Sequence, residues 1–501
     1  MKKINYNILL FFVALSFFGC TDLDEDTKGL MAPEGFFVTS SDVEAVIHGA
    51  YAEWVTVDIE KYYFLGLMLR SDMVDIGDMN TQGDRITVND FSMDAKNSLI
   101  SASWDRLYQC ISAANTAINA ARSIEAEEHV KKELEAKARF IRAYTYFHLV
   151  RGFGSVPYVD FPLENTEAID TTQKTSEADI YDHIIEDLTF AKTNLPEKYT
   201  PEVRNIGTKG SAATALAEVY LTLKRYTEAA TEARFVITNA DKFNYHLAKN
   251  YQDLFNANII GTLTEPIFTY ELKNTLNDGS YNQSDGMINL TRIRDFAPRS
   301  LSVAVPSLKV YQSWDNRDYR KKVSFEDTVV YNGVETALVD SKFRVPRPHI
   351  AKYFRYPGPQ EAGDDRSSDH HYCLYRYADV LLFAAEAIAE SDGATTEAIG
   401  YVNQIRSRAR FNGIEETAFP ADISTDISDA DFIEVVREER RLEFAFEFKR
   451  WYDLKRWGSI EEAFTSSESY EPHVVDLSRD YLFPIPQTEI DMTGWSNNSG
   501  Y

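Results

Sequence analysis

Residues 437–458 read REERRLEFAFEFKRWYDLKRWG. Leu442, Ala445, Phe446, Phe448, Trp451, Leu454 and Trp457 recur at helical spacing and predict one amphipathic helix. Arg437, Arg440, Arg441, Glu443, Glu447 and Arg450 stand along it where side chains three and four residues apart can pair. A charge ladder of this kind reads as scaffold.

Helices of the same grain lie upstream. Leu107, Tyr108, Ile111, Ala114 and Ile118 predict a helix from Trp104 to Ser123. Leu134, Ala138, Ile141, Tyr144 and His148 mark another from Val130 to Phe153, with Gly152 and Gly154 ending it. A third fits Ser176 to Asn194, stopped by Pro196. Between Ser211 and Asn239, the positions Leu216, Ala217, Tyr220, Tyr226, Ala229 and Val236 have the spacing of a tetratricopeptide helix hairpin. Tyr377 to Arg410 repeats the pattern through Glu386, Ala398 and Ile405. The repeats are not in tandem. The expected fold is therefore mainly α, with tetratricopeptide-like helix pairs forming one platform that carries an insertion in its second half.

That insertion spans 241–371, between a helical region at 41–240 and a C-terminal region at 372–501. Gly, Pro, Asn and Asp run throughout it, and Tyr245, Tyr251, Tyr270, Tyr281, Tyr311, Tyr331, Tyr353 and Tyr356 follow no helical period. Thr328 to Tyr331 is a strand candidate at best. A loop-rich stretch of this length is usually functional.

The start of the chain points to export. Lys2 and Lys3 precede an apolar run from Ile8 to Phe18, and Gly19 and Cys20 follow. Residues 1–19 read as a signal peptide, too short for a bilayer span, which needs about 20 apolar residues. Cys20 stands where a lipoprotein signal places its acylated cysteine, so 20–40 is expected to be a lipidated acidic tether. Asp22, Asp24 and Asp26 alternate like a calcium loop, but Thr27 and Pro33 break that pattern. Of the other cysteines, Cys110 and Cys373 are too few for a disulfide framework and are expected to be buried singly.

The formal charge of −26 disfavours nucleic acid, whose phosphates need clustered positive charge. Motifs for catalysis are missing: there is no HExxH, no Gly-x-Ser-x-Gly and no phosphate loop. His370 and His371 adjoin, which does not make a metal site. Asp72 with Asp75, Asp364 with Asp365, and Glu438 with Glu439 could be nominated as a glycosidase pair. With 78 acidic residues in the chain such pairs arise by chance. No catalytic residue, cofactor or metal is expected.

The 437–458 stretch resembles the C-terminal signature of the SusD/RagB family of Bacteroidetes outer-membrane lipoproteins. Further pieces are similar to that family: EAKARFIRAYTYFHLVRGFGSVP (135–157), LYRYADVLLFAAEA (374–387), VNQIRSRA (402–409), LFPIPQTE (482–489) and the closing residues 498–501. Ser499 departs from it, since a proline is common before the final Gly-Tyr. The acidic residues behind Cys20 resemble a surface-export signal. The resemblance implies four tetratricopeptide-like helix pairs with a loop-rich lobe, and no enzyme activity. It implies a lipid-anchored protein of the outer membrane, facing outward, that binds nutrient glycans and passes them to a SusC-like TonB-dependent transporter. Some members bind peptides instead, and a purely structural subunit or a surface glycoside hydrolase are the remaining readings.

The signature motifs are scaffold and name no ligand residues. Sugars present apolar C–H faces and hydroxyl edges, so a site pairs an exposed aromatic platform with planar polar groups. Residues 278–285 (DGSYNQSD) have that composition, which nominates Tyr281 and Asn282. A second candidate loop, 70–85, nominates Asp72, Asp75 and Arg85. Trp314 shares a helical face with Tyr311 and Leu308 and is expected in the core.

Overall fold

Thr39 opens the first helix: its Oγ1 accepts from the Asp42 amide, and the Asp42 carboxylate accepts from the Thr39 amide. This reciprocal cap satisfies two donors that a helix start leaves free. The computed structural model describes residues 37–501 apart from 57, 163–172, 273–284, 297–298, 341 and 359–367. Residues 1–19, Cys20 and the tether as far as residue 36 therefore lie outside the described residues, as do Tyr281, Asn282, Asp364 and Asp365; the tether's expected end at 40 falls inside the cap and first residue of this first helix.

The platform begins with α1 (Ser40–Trp54), α2 (Ser98–Ser123), α3 (Glu128–Phe153), α4 (Glu177–Asn194), α5 (Lys209–Thr222) and α6 (Tyr226–Thr238). Each packs on the next. Nearly every residue of α3 from Leu134 to Phe153 is buried, which makes it the central helix of the stack. It ends at Gly154, whose φ of +73° favours glycine; a Cβ there would meet the Leu482 Cδ1 at 2.8 Å. The Ser176 side chain caps α4 by accepting from the Asp179 amide at 3.2 Å.

The short helices of the lobe include α7 (Leu308–Ser313) and α8 (Tyr319–Ser324), and the platform then resumes with α9 (Tyr377–Asp392) and α10 (Thr396–Ala409). α6 packs directly on α9, so the stack closes over the inserted chain as if it were not there. The fold is mainly helical, as the periodicity predicts.

The lobe is more regular than a loop. Pro266–Tyr270 pairs antiparallel with Tyr372–Arg376, Val74–Ile76 with Ala304–Pro306, and Phe325–Glu326 with His349–Ile350. Thr328–Tyr331 and Val334–Ala337 form a hairpin turning on Asn332 and Gly333, both at positive φ. Tyr245, Tyr251, Tyr270 and Tyr353 are buried, so these tyrosines serve the core. Trp314 is buried too, edge-on to Phe325 at 5.3 Å. Cys110 is buried beside the Thr145 hydroxyl, 3.2 Å away, and its thiol is pushed up to about 12 by burial. Cys373 is only half-buried, which corrects the expectation for it; the two thiols are free.

The expected single helix over 437–458 is also corrected. It is two helices, α11 (Asp429–Glu443) and α12 (Arg450–Trp457), joined by an elbow in which Phe446 and Phe448 take φ of +66° and +64°. The elbow frees backbone carbonyls, and the lobe uses them. Glu443 O accepts from the Tyr251 hydroxyl and from Arg376 Nη2, and Phe446 O accepts from the Tyr353 hydroxyl at 2.5 Å. The elbow rings also part company: Phe448 stacks on Phe64 at 4.8 Å, while Phe446 meets Phe325 edge-on at 5.4 Å. A straight helix would direct neither carbonyls nor rings this way.

The charge ladder is scaffold, but most of its pairs reach across the molecule rather than along one helix. Arg320 and Lys352 of the lobe bond Glu439 and Glu447 at 2.6 and 2.8 Å, and Glu265 of the lobe accepts from Arg376 and Arg408 at 2.8 and 3.1 Å. These groups are buried. The network clamps the lobe to the platform.

Candidate functional site

The nominated residues that are described, Asp72, Asp75 and Arg85, do not converge. Asp72 is buried, and both its oxygens accept from Arg450 of α12, at 2.8 and 2.7 Å. It ties the segment to the signature stretch, which corrects its nomination as a ligand contact. Arg85 is corrected likewise: it sits in the helix Gly83–Asn89, is 9% exposed, and donates to the Thr81 hydroxyl at 3.1 Å. Residues 70–85 are turns around a short strand, Val74–Ile76, and end in the start of the helix Gly83–Asn89. Arg70 itself is fully buried, its guanidinium 4.2 Å over the Phe91 ring. Asp75 stays partly exposed and pairs with Arg347 at 3.0 Å. Of the carboxylate pairs, Glu438 accepts from Arg441, while Glu439 is buried between Arg320 and Arg406. Each of these carboxylates already faces a guanidinium.

A cleft of about 410 Å³ opens elsewhere, in the lobe. α8 forms one wall. Its cap is Asp318, which accepts from the Arg320 amide at 2.9 Å, and the clamp from Arg320 to Glu439 fixes its inner side. On its other side Tyr319 and Lys322, three residues apart and so on one face, line the cleft. Tyr311 of α7 and Tyr356 supply further rings, with Tyr356 40% exposed.

Arg355 holds the floor together. Its guanidinium donates to the carbonyls of Lys322 and Phe325 at 2.7 and 2.8 Å, to Glu326 at 3.2 Å, and to Gln252 Oε1 at 3.1 Å. Lys321 Nζ donates to Trp314 O at 2.8 Å and Asn316 Oδ1 at 2.7 Å, and lies 4.3 Å over the Tyr311 ring. Burial lowers the Lys321 ammonium below its ordinary range. The Tyr311 hydroxyl donates to Asp327 at 2.6 Å; burial, then that carboxylate, push it up to about 12. Gln252 Nε2 is buried in the wall with no acceptor.

Aromatic rings beside amide, carboxylate and ammonium groups can stack a sugar face and bond its edge. Periodicity misses this cleft because Gln252, Arg355 and Tyr356 meet the 311–328 segment only when α8 docks. The tyrosine richness of 241–371 is the available signal. Among the described residues no cluster of His, Cys, Asp and Glu could hold a metal ion.

Comparison with known proteins then places the chain. Residues 274–501 match the family model described as the SusD family, and residues 32–221 match one described as starch-binding associating with outer membrane. SusD-like protein P2 of Formosa agariphila is 41% identical over 100% of both chains. A SusD homolog from Bacteroides thetaiotaomicron superposes with a TM-score of 0.82 at 21% identity, covering 94% of this chain and 98% of that one. A solved laminarin binding SusD-like protein superposes with a TM-score of 0.78 at 21% identity, covering 93% and 100%.

Proposed function

This chain belongs to the SusD family, and we propose that it captures glycans at the cell surface for a SusC-like TonB-dependent transporter. The observation that carries the reading is the lobe cleft, where Tyr319 and Tyr356 face planar and charged groups in a space of about 410 Å³. The solved relative described as laminarin binding supports the same ligand class. The protein acts as a binder, not an enzyme: the carboxylates nominated for catalysis that lie among the described residues face arginines. Cys20 holds it to the outer membrane, outward-facing. Asp75, Tyr281 and Asn282 are proposed as further ligand contacts.

Affinity electrophoresis tests the reading. The purified chain should be retarded in gels containing at least one class of polysaccharide and should release no reducing ends from it. Free migration through every polysaccharide, or turnover of one of them, overturns the proposal. Delivery is tested separately by co-purification with a SusC-type barrel from outer membranes.

A further inference from the structure

The cleft has a sign. Its Arg355 is saturated by Glu326, Gln252 and backbone carbonyls, and Lys321 is committed to Trp314 O and Asn316. Two donors remain. Lys322 is exposed and has no ion-pair partner among the described residues. Gln252 Nε2 is buried in the same wall without an acceptor. On the acceptor side, one oxygen of Glu326 is engaged by Arg355 and one of Asp327 by Tyr311. The three cations of the cleft, Lys321, Lys322 and Arg355, thus outnumber its two carboxylates, Glu326 and Asp327, and Lys322 is the one left unengaged.

This occurs in a chain of formal charge −26, whose general field repels anions. A free ammonium beside an aromatic ring on one helix face fits a sugar ring carrying a negative group. The ring lies on Tyr319, and the anion reaches Lys322 and Gln252. A buried amide donor left unpaired is costly, and an acceptor-rich ligand removes that cost. We infer that the cleft selects acidic glycans, those bearing uronate carboxylates or sulfate esters, with Lys322 and Gln252 as the groups that read the charge. The inference rests on the glycan-binding reading above.

The test uses the purified chain in gels of neutral polysaccharides (laminarin, starch, galactomannan), uronate polymers (polygalacturonate, alginate) and sulfated ones (carrageenan, fucoidan). Lys322→Glu is compared with Lys198→Glu, an equal change of charge at an exposed position between α4 and α5. Acidic polymers should retard the chain, and the uronate and sulfate arms separate the two sources of charge. Lys322→Glu should weaken that binding about ten-fold or more, because a charge-assisted bond becomes a repulsion, while Lys198→Glu leaves it unchanged. Higher salt should weaken it as well. Retardation by neutral polymers alone, or binding indifferent to Lys322→Glu, overturns the acidic class and leaves glycan binding standing. Free migration through all of the gels removes both.

Discussion

Arg376 donates to Glu443 at 2.5 Å, and both side chains are fully buried. Arg376 is the N-cap of the platform helix α9, Glu443 ends α11, and Glu265 of the lobe bonds the same guanidinium at 2.8 Å. The pair is the hinge pin of the clamp. Three guanidiniums converge on Glu443, those of Arg320, Arg376 and Arg408, and hold its carboxyl well below the usual range despite burial.

Removing one partner of such a network leaves uncompensated buried charge, which costs about 3–5 kcal/mol. Glu443→Ala should therefore lower the urea midpoint sharply. Glu434→Ala, at an exposed carboxylate paired with the part-exposed Arg437 three residues on, should cost no more than about 1 kcal/mol. Equal losses in the two variants would mean that the ladder works along one helix, as the bare sequence reads.

Acid should destabilise the fold in two stages. His349 donates from Nδ1 to Arg347 O at 2.9 Å, so its Nε2 accepts from the Ser302 hydroxyl at 2.7 Å. Burial pushes His349 and His370 down to about 4. The unfolded chain, with histidines near about 6.5, then binds more protons, so stability falls as pH drops from 6.5 towards 4. Below that, Glu443 and Glu447, depressed by their cationic neighbours, lose the stabilisation they provide above the ordinary glutamate range. Urea midpoints at pH 7, 5.5 and 4 check the sign. His349→Gln, which keeps one donor and one acceptor, should flatten the first stage.

Anchoring should depend on one residue. No helix among the described residues is long and apolar enough to cross a membrane. Cys20→Ala should leave the folded chain intact and shift it from the outer-membrane to the soluble fraction. Quantitative retention in the membrane without a transporter would assign the anchor elsewhere.

The platform was legible in the sequence because its helices bury one face each, and a buried face writes a 3.6-residue period. Ser176 and Gly154 even marked ends. The elbow at 444–449 left no such mark, since a continuous amphipathic helix and two helices joined at Phe446 share one apolar pattern. Positive φ at a phenylalanine is imposed by the carbonyls that Tyr251 and Tyr353 capture, and those contacts are long-range. The site was less legible still. Asp72 and Arg85 looked like loop polarity until Arg450 and the helix Gly83–Asn89 claimed them. Gln252, Tyr319, Lys322 and Tyr356 become neighbours only through the docking of α8, which no local period records.

The most direct measurement is calorimetric titration of Tyr356→Ala against the polysaccharide that retards the native chain, with thermal unfolding of both proteins alongside. Tyr356 is an exposed ring at the cleft. A lost stacking contact of about 0.5–1.5 kcal/mol, with the area it covers, should weaken affinity about three- to thirty-fold, while the melting temperature barely moves. Unchanged affinity, with or without a lowered melting temperature, would contradict the placement of the glycan in the lobe cleft.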